Sequence, residues 1–195
     1  MNKLIAVVGV SGVGKTALVR ALANTGQFAT AYEEHTERPF QALFKKNKRF
    51  ALANQLDYLL LRAEQEKQLR AADKIGLMDG GLDLDFHGFT RLFHRRGLVA
   101  DPEFDLCLRF YSLVREFLPP PDLIVHLTAP RKIITQRLAS RSRINIASAR
   151  DAETLDQLIR EWLESVPDKH ILHINSEEEG KNYPGATRKI LEWGA

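Results

Sequence analysis

The chain has 195 residues, 44% of them hydrophobic and 27% charged, with a net charge of +3 at neutral pH. That length can build one packed core without staples, and the composition excludes disordered and fibrous classes. The small positive excess suits polyphosphate ligands; with no Lys/Arg block interleaved with aromatics, it does not mark a nucleic-acid binder. A single cysteine, Cys107, excludes an internal disulfide or a cysteine-built metal cluster and fits a reducing cytoplasm.

In chain order, residues 3–9 are an apolar, β-branched run that reads as a buried parallel strand. Thr16 to Asn24 has helical spacing, with Gly26 as its stop, and Ala29 to Glu33 reads as a second strand. Arg49 to Ala72 reads as a long amphipathic helix with Leu52, Leu56, Leu59, Leu60 and Ala63 on its apolar face. A short strand, 74–78, ends at Asp79. A second long helix, Glu103 to Leu118, is closed by Pro119-Pro120-Pro121. A strand over Asp122 to Ala129, a helix over Pro130 to Arg141, a helix over Thr154 to Ser165, a strand over His170 to Asn175 and a helix near Thr187 to Trp193 complete the chain. Strands alternating with helices predict an α/β fold of three layers, a parallel sheet of about five strands flanked by helices. One domain over 1–195 is expected. No stretch approaches the roughly 18 apolar residues of a membrane span, so a soluble, cytoplasmic chain with no membrane partner is expected.

Gly9-Val10-Ser11-Gly12-Val13-Gly14-Lys15-Thr16 satisfies GxxxxGK[ST], after an apolar strand and before a helical pattern. Glycines let backbone N–H groups wrap a phosphate, and the helix N-terminus adds partial positive charge. Lys15 would reach the outer phosphates of ATP, and the Thr16 hydroxyl would ligate Mg²⁺. Asp79, at the end of an apolar strand, is placed to hold the same Mg²⁺. The motif names a nucleotide and leaves the phosphate acceptor open. No NKxD-type guanine reader stands at a strand end, which argues against a GTPase switch.

Four further blocks bear on the acceptor. "YEEHTERPF" puts Glu33 and Glu34 after the second strand, and "NQLDYLLLR" puts Gln55 and Arg62 seven residues apart, two turns along one helix face. "MDGGLDLDF" carries Asp85 six residues after Asp79, and "RLASRSR" spaces Arg137, Arg141 and Arg143 as R-x₃-R-x-R. Each block alone also reads plainly, as solvated carboxylates, a polar helix face or a basic helix end. Together, over residues 3 to 175, they resemble the deoxynucleoside kinase family.

The resemblance implies a P-loop kinase that moves a phosphoryl group from ATP·Mg²⁺ to the 5′-hydroxyl of a nucleoside. Glu33, favoured over Glu34 by its distance from Pro39, would be the base. Gln55, Arg62 and Asp85 would orient the nucleoside, and Arg137, Arg141 and Arg143, in a lid segment near 137–150, would close on the phosphates. A homodimer packed through the helices near 50–70 and 103–118 is likewise implied. The chain departs from the family where Gly80 and Gly81 replace an Arg and a Ser after Asp79, and where Ile144 to Ile146 replace lid acids. If the scaffold is a weakened kinase, an arginine restored at Gly80 is expected to raise activity sharply. A nucleoside monophosphate kinase is one alternative, although Arg38 is the one basic residue around 33–40 able to grip an acceptor phosphate. A nucleotide-binding protein that has lost catalysis is the other. His35, His87, His94 and His126 lack metal-ligand spacing, and Phe40, Phe44, Phe86 and Tyr111 read either as a base pocket or as core.

Overall fold

The structure, a computed structural model, describes residues 1–32, 38–139, 149–180 and 182–194. Five strands alternate with helices along them: β1 (Leu4–Val8), α1 (Lys15–Ala23), β2 (Phe28–Ala31), α2 (Pro39–Lys46), a 3-10 turn (Lys48–Phe50) and α3 (Ala51–Ala71). There follow β3 (Ile75–Asp79), a π-helical segment (Leu84–Thr90), α4 (Arg91–Arg95), α5 (Asp101–Phe117), β4 (Leu123–Thr128) and α6 (Arg131–Ala139). The chain closes with α7 (Ala149–Leu163), a 3-10 turn (Asp168–His170), β5 (Ile171–Asn175) and α8 (Pro184–Gly194).

The strands pair in the order β2-β3-β1-β4-β5, every pair parallel. The all-buried β1 is the central strand because its unbroken LIAVV run needs cover on both faces. α1 and α8 pack together on one face, through Leu18, Val19, Leu22, Ala186 and Ile190. α3, α5, the π-helical segment and α7 pack on the other. The chain leaves β1 toward β2 and β3 on one side and later reaches β4 and β5 on the other. The crevice beyond the C-terminal end of β1 is thus the topological switch point, where α/β sheets bind ligands.

Two sequence expectations need correction. The leucine face of α3 is buried only in part: Leu59 is fully buried with Leu52 and Leu56 packed against the same cluster, but Leu60 is 48% exposed. Asn54, Gln55, Arg62, Glu66 and Arg70 are buried beside Leu59, Leu61 and Leu69. Buried charge persists there because it is paired. Arg70 donates to Glu66 Oε1 at 3.1 Å and to the Pro119 and Pro120 carbonyls, and Arg115 of α5 donates to the same Glu66 oxygen at 2.9 Å. The second correction concerns length: α7 starts at Ala149, before Thr154, while α2, the π-helical segment and α4 had no counterpart in the sequence reading.

Candidate active site

β1 delivers the chain into the phosphate loop, and Gly14 stands at the N-cap of α1 with φ +116°. No side chain caps α1 and its first turn holds no acid, so its leading amides face outward over the crevice as an anion site. Lys15 folds back over the loop, donating from Nζ to the Gly9 carbonyl at 3.0 Å and the Val10 carbonyl at 3.3 Å. Its ammonium therefore already stands at the mouth of the cradle.

β3 brings Asp79 alongside Val7 of β1, in register beside the loop. Thr16 Oγ1 donates to Asp79 Oδ2 at 2.5 Å, while Asp79 Oδ1 is buried without a hydrogen-bond partner. An orphaned carboxylate oxygen beside a hydroxyl, one helix turn from a phosphate cradle, is a hard-oxygen donor set that fits Mg²⁺. Arg137 reaches the loop from α6, donating from Nη1 to the Val13 carbonyl at 2.7 Å and to Ser176 Oγ at 3.0 Å. Glu33, Glu34, Arg141 and Arg143 lie outside the described residues, as does most of the expected lid.

Six residues after Asp79 the same chain segment places Asp85 opposite α3. Arg62 Nε donates to Asp85 Oδ2 at 2.9 Å and Nη1 to Gln65 Oε1 at 3.0 Å. The Thr90 hydroxyl reaches Gln55 Oε1 and the Asp85 carbonyl, each at 3.0 Å. Thr90 thus occupies the amide oxygen of Gln55 and orients its NH₂ group. Gln55, Arg62 and Asp85 are brought together as expected, in one small cavity completed by Asn54, Tyr58, Phe89 and Phe93. Asn54 was not anticipated. Its residue is 1% exposed and its Oδ1 has no hydrogen-bond partner, which is costly unless a ligand meets it.

The anticipated aromatics lie elsewhere. Phe44 packs on Phe93 with centroids 5.1 Å apart, and Phe86 stacks on Tyr111 at 4.3 Å. Tyr111 is tied to Asp83 by a 2.6 Å hydrogen bond, and Phe40 is largely solvent-facing. His126 is buried and His87 and His94 are half-buried, while His35 lies outside the described residues. Burial pushes His87 down to about 4, and burial with the neighbouring His173 pushes His126 down to about 4. No cluster of three or more His, Cys, Asp or Glu able to hold a metal occurs among the described residues.

Gly80 has φ +87°, its N–H donates to the Val7 carbonyl at 2.9 Å, and a β-carbon there would stand 3.3 Å from Arg62 Nη2. The backbone here is in the left-handed region, and Arg62 covers the site. An arginine at 80 would strain the turn and crowd Arg62. Arg38 is also engaged: its Nε and Nη2 each donate to an Asp57 oxygen at 2.6 Å, fastening the start of α2 to α3.

The deoxynucleoside kinase family model matches residues 5–192. The chain belongs to the deoxynucleoside kinase family. A deoxyadenosine kinase of Dictyostelium discoideum is 27% identical over 140 residues, 71% of this chain and 57% of that protein's length. A deoxyadenosine/deoxycytidine kinase of Bacillus subtilis is 24% identical over 145 residues, covering 73% of this chain and 67% of its own. Deoxyadenosine kinase from M. mycoides with bound dATP superposes with a TM-score of 0.79 at 22% identity, over 97% of this chain and 99% of the other. The same enzyme with bound dCTP gives 0.80 at 20% identity over the same shares. At that identity the superpositions establish the fold, and this kinase-family fold is the three-layer α/β arrangement described above.

Proposed function

We propose that this member of the deoxynucleoside kinase family transfers the γ-phosphoryl group of ATP to the 5′-hydroxyl of a deoxynucleoside. One observation carries the reading. The segment leaving β3 runs from Asp79, bonded to the loop residue Thr16, to Asp85, paired with Arg62, so the donor and acceptor sites share one wall. The relatives' names put deoxyadenosine and deoxycytidine first among the acceptors to try.

In this reading the loop amides of 9–16 and Lys15 hold the donor phosphates. Mg²⁺, held by Thr16 and Asp79, would neutralise charge on the outer phosphates. Gln55, Arg62 and Asp85 fix the nucleoside, with Asn54 offering a further polar group to the base. Glu33, with Glu34 beside it, accepts the hydroxyl proton as the oxygen attacks. Arg137, Arg141 and Arg143, from the lid segment near 137–150 of a single domain, draw off charge as the phosphoryl group moves. No covalent intermediate is required, and the rate comes from positioning and electrostatics. A homodimer through α3 and α5 is part of the proposal, supported by Leu60, Leu106, Leu108, Leu113 and Phe117, all at least 40% exposed on those two helices. A cytoplasmic setting is supported by the buried thiol of Cys107. No helix among the described residues is long and apolar enough to cross a membrane.

Gly80 and Gly81 favour a second reading, a nucleotide-binding protein without acceptor-dependent turnover, because that turn carries no cation of its own. Arg38, held by Asp57, speaks against a monophosphate acceptor. ATP consumption against a panel of nucleosides, deoxynucleosides and monophosphates separates these, with Lys15→Ala as control. Turnover with a deoxynucleoside, lost in the control, is the expected result. Turnover with monophosphates alone, or ATP binding with no acceptor-dependent turnover, would overturn the proposal.

A further inference from the structure

Two groups from outside the phosphate loop close on its residues Val13 and Gly14. One is Arg137, on the Val13 carbonyl and on Ser176 Oγ. Ser176 is buried just past β5. The second group is the phenol oxygen of Tyr183. It lies over the α-carbon of Gly14, in the space a β-carbon would fill.

Tyr183 is unusual in its backbone as well. Its φ of 51° is the one positive value for a non-glycine among the described residues. Such a conformation is unfavourable for a bulky side chain and persists where the surroundings fix it, often at functional sites. Here the fixing is visible. Its N–H donates to the Gly180 carbonyl at 3.0 Å, and its carbonyl accepts from Thr187 at 2.9 Å in the first turn of α8. The ring sits in the main core cluster, which accounts for the ring and not for a hydroxyl aimed at the loop.

We propose that Tyr183 is a positioning residue for phosphate binding: its hydroxyl braces Gly14 beside Arg137, which Ser176 in turn holds on Val13, so the loop is set before nucleotide arrives. Pre-set donors need no reorganisation when the anion binds. The inference rests on the reading of residues 9–16 as the nucleotide site, so its test includes a measurement made without nucleotide.

Hydrogen exchange of the amides of 9–16 in the nucleotide-free protein reads the brace directly. Tyr183→Phe removes the hydroxyl and keeps the ring. Loop exchange should quicken roughly three- to tenfold, the worth of the small cavity left over Gly14, with exchange in β1, β4 and α3 unchanged. ATP affinity should fall by a similar factor, with the nucleoside KM unmoved. Ser176→Ala, which cuts the link to Arg137, should act the same way and serves if the first variant folds poorly. Loop exchange equal to wild type in both variants would overturn the brace, and so would acceleration spread evenly over the sheet. Wild-type protein that binds no ATP, yet shows the loop-specific acceleration in the variants, would remove the kinase reading and leave the brace standing.

Discussion

The phosphate-loop side of the crevice and the Asp85 side, the proposed donor and acceptor sites, are built on different principles. The donor side is mostly backbone, with loop amides, a bare helix N-terminus and carbonyls that park Lys15. Few of its side chains support the fold, since Lys15 is partly exposed and makes only loop contacts. The acceptor side is made of buried side chains that pair with one another: Arg62 with Asp85, Gln55 with Thr90, and deeper in the same helix Glu66 with Arg70 and Arg115. A backbone-built site can lose a side chain such as Lys15, which contacts only the loop, and keep its shape. A site of buried charges cannot, because removing one partner strands the other. Damage on the donor side should therefore be read in activity, and damage on the acceptor side in stability as well.

The largest expected effect lies on the acceptor side. Asp85→Ala leaves Arg62 buried without its carboxylate and should cost about 3–5 kcal/mol of stability, measured by denaturant unfolding, together with the nucleoside site. Stability within the noise of wild type would show that Arg62 finds relief elsewhere and would blur the contrast. On the donor side, Lys15→Ala should lower turnover about a hundredfold or more with the melting temperature unchanged, as steady-state kinetics and thermal unfolding would read.

A third comparison uses pH, through His87 in the π-helical segment that carries Asp85 and His126 on β4. His87 and His126 are both pushed down to about 4 by burial, below the ordinary value near 6.5. Between those values the unfolded chain binds more protons than the folded one, so stability falls as pH drops from 7 toward 5, by roughly 1–2 kcal/mol for each histidine. Urea unfolding at pH 7 and pH 5 should show the loss, and His87→Phe should reduce it. An unchanged slope in that variant would mean the ring is protonated in the folded state. The smallest effect is at the junction of the two sides. Gly80→Arg should cost about 1–2 kcal/mol for the left-handed backbone and bring no gain in turnover. A clear gain in turnover would mean that the turn relaxes to accept the side chain.

The same division explains what the sequence made legible. A phosphate cradle is contiguous, so its glycines, Lys15 and Thr16 are readable from spacing alone, and Asp79 follows from its place at the end of an apolar strand. Gln55 and Arg62 were singled out through the family resemblance, with two helix turns putting them on one face. Asn54, one residue earlier, carries no motif and is betrayed only by its orphaned oxygen. Phe89 and Phe93 escaped notice because the segment before α4 is wound as a π-helix, so residue spacing there follows i to i+5 and not the familiar helical repeat. α2 and α4, with eight and five residues, are too short for a periodic pattern to build. On α3 the leucine stripe marked only part of the buried surface, since paired charge is buried there beside Leu59 while Leu60 faces solvent. Tyr183 had no sequence signal at all; its φ and its contact with Gly14 exist only in three dimensions.

The shared wall from Asp79 to Asp85 is tested most directly with a bisubstrate analogue, a deoxyadenosine joined through a polyphosphate bridge to adenosine, titrated by calorimetry against wild-type protein, Lys15→Ala and Asp85→Ala. If donor and acceptor sites form one crevice, the analogue binds well below the Kd of ATP or deoxyadenosine alone, and each variant weakens it. Binding no tighter than ATP, unaffected by Asp85→Ala, would contradict the shared wall and leave a phosphate loop without an acceptor beside it.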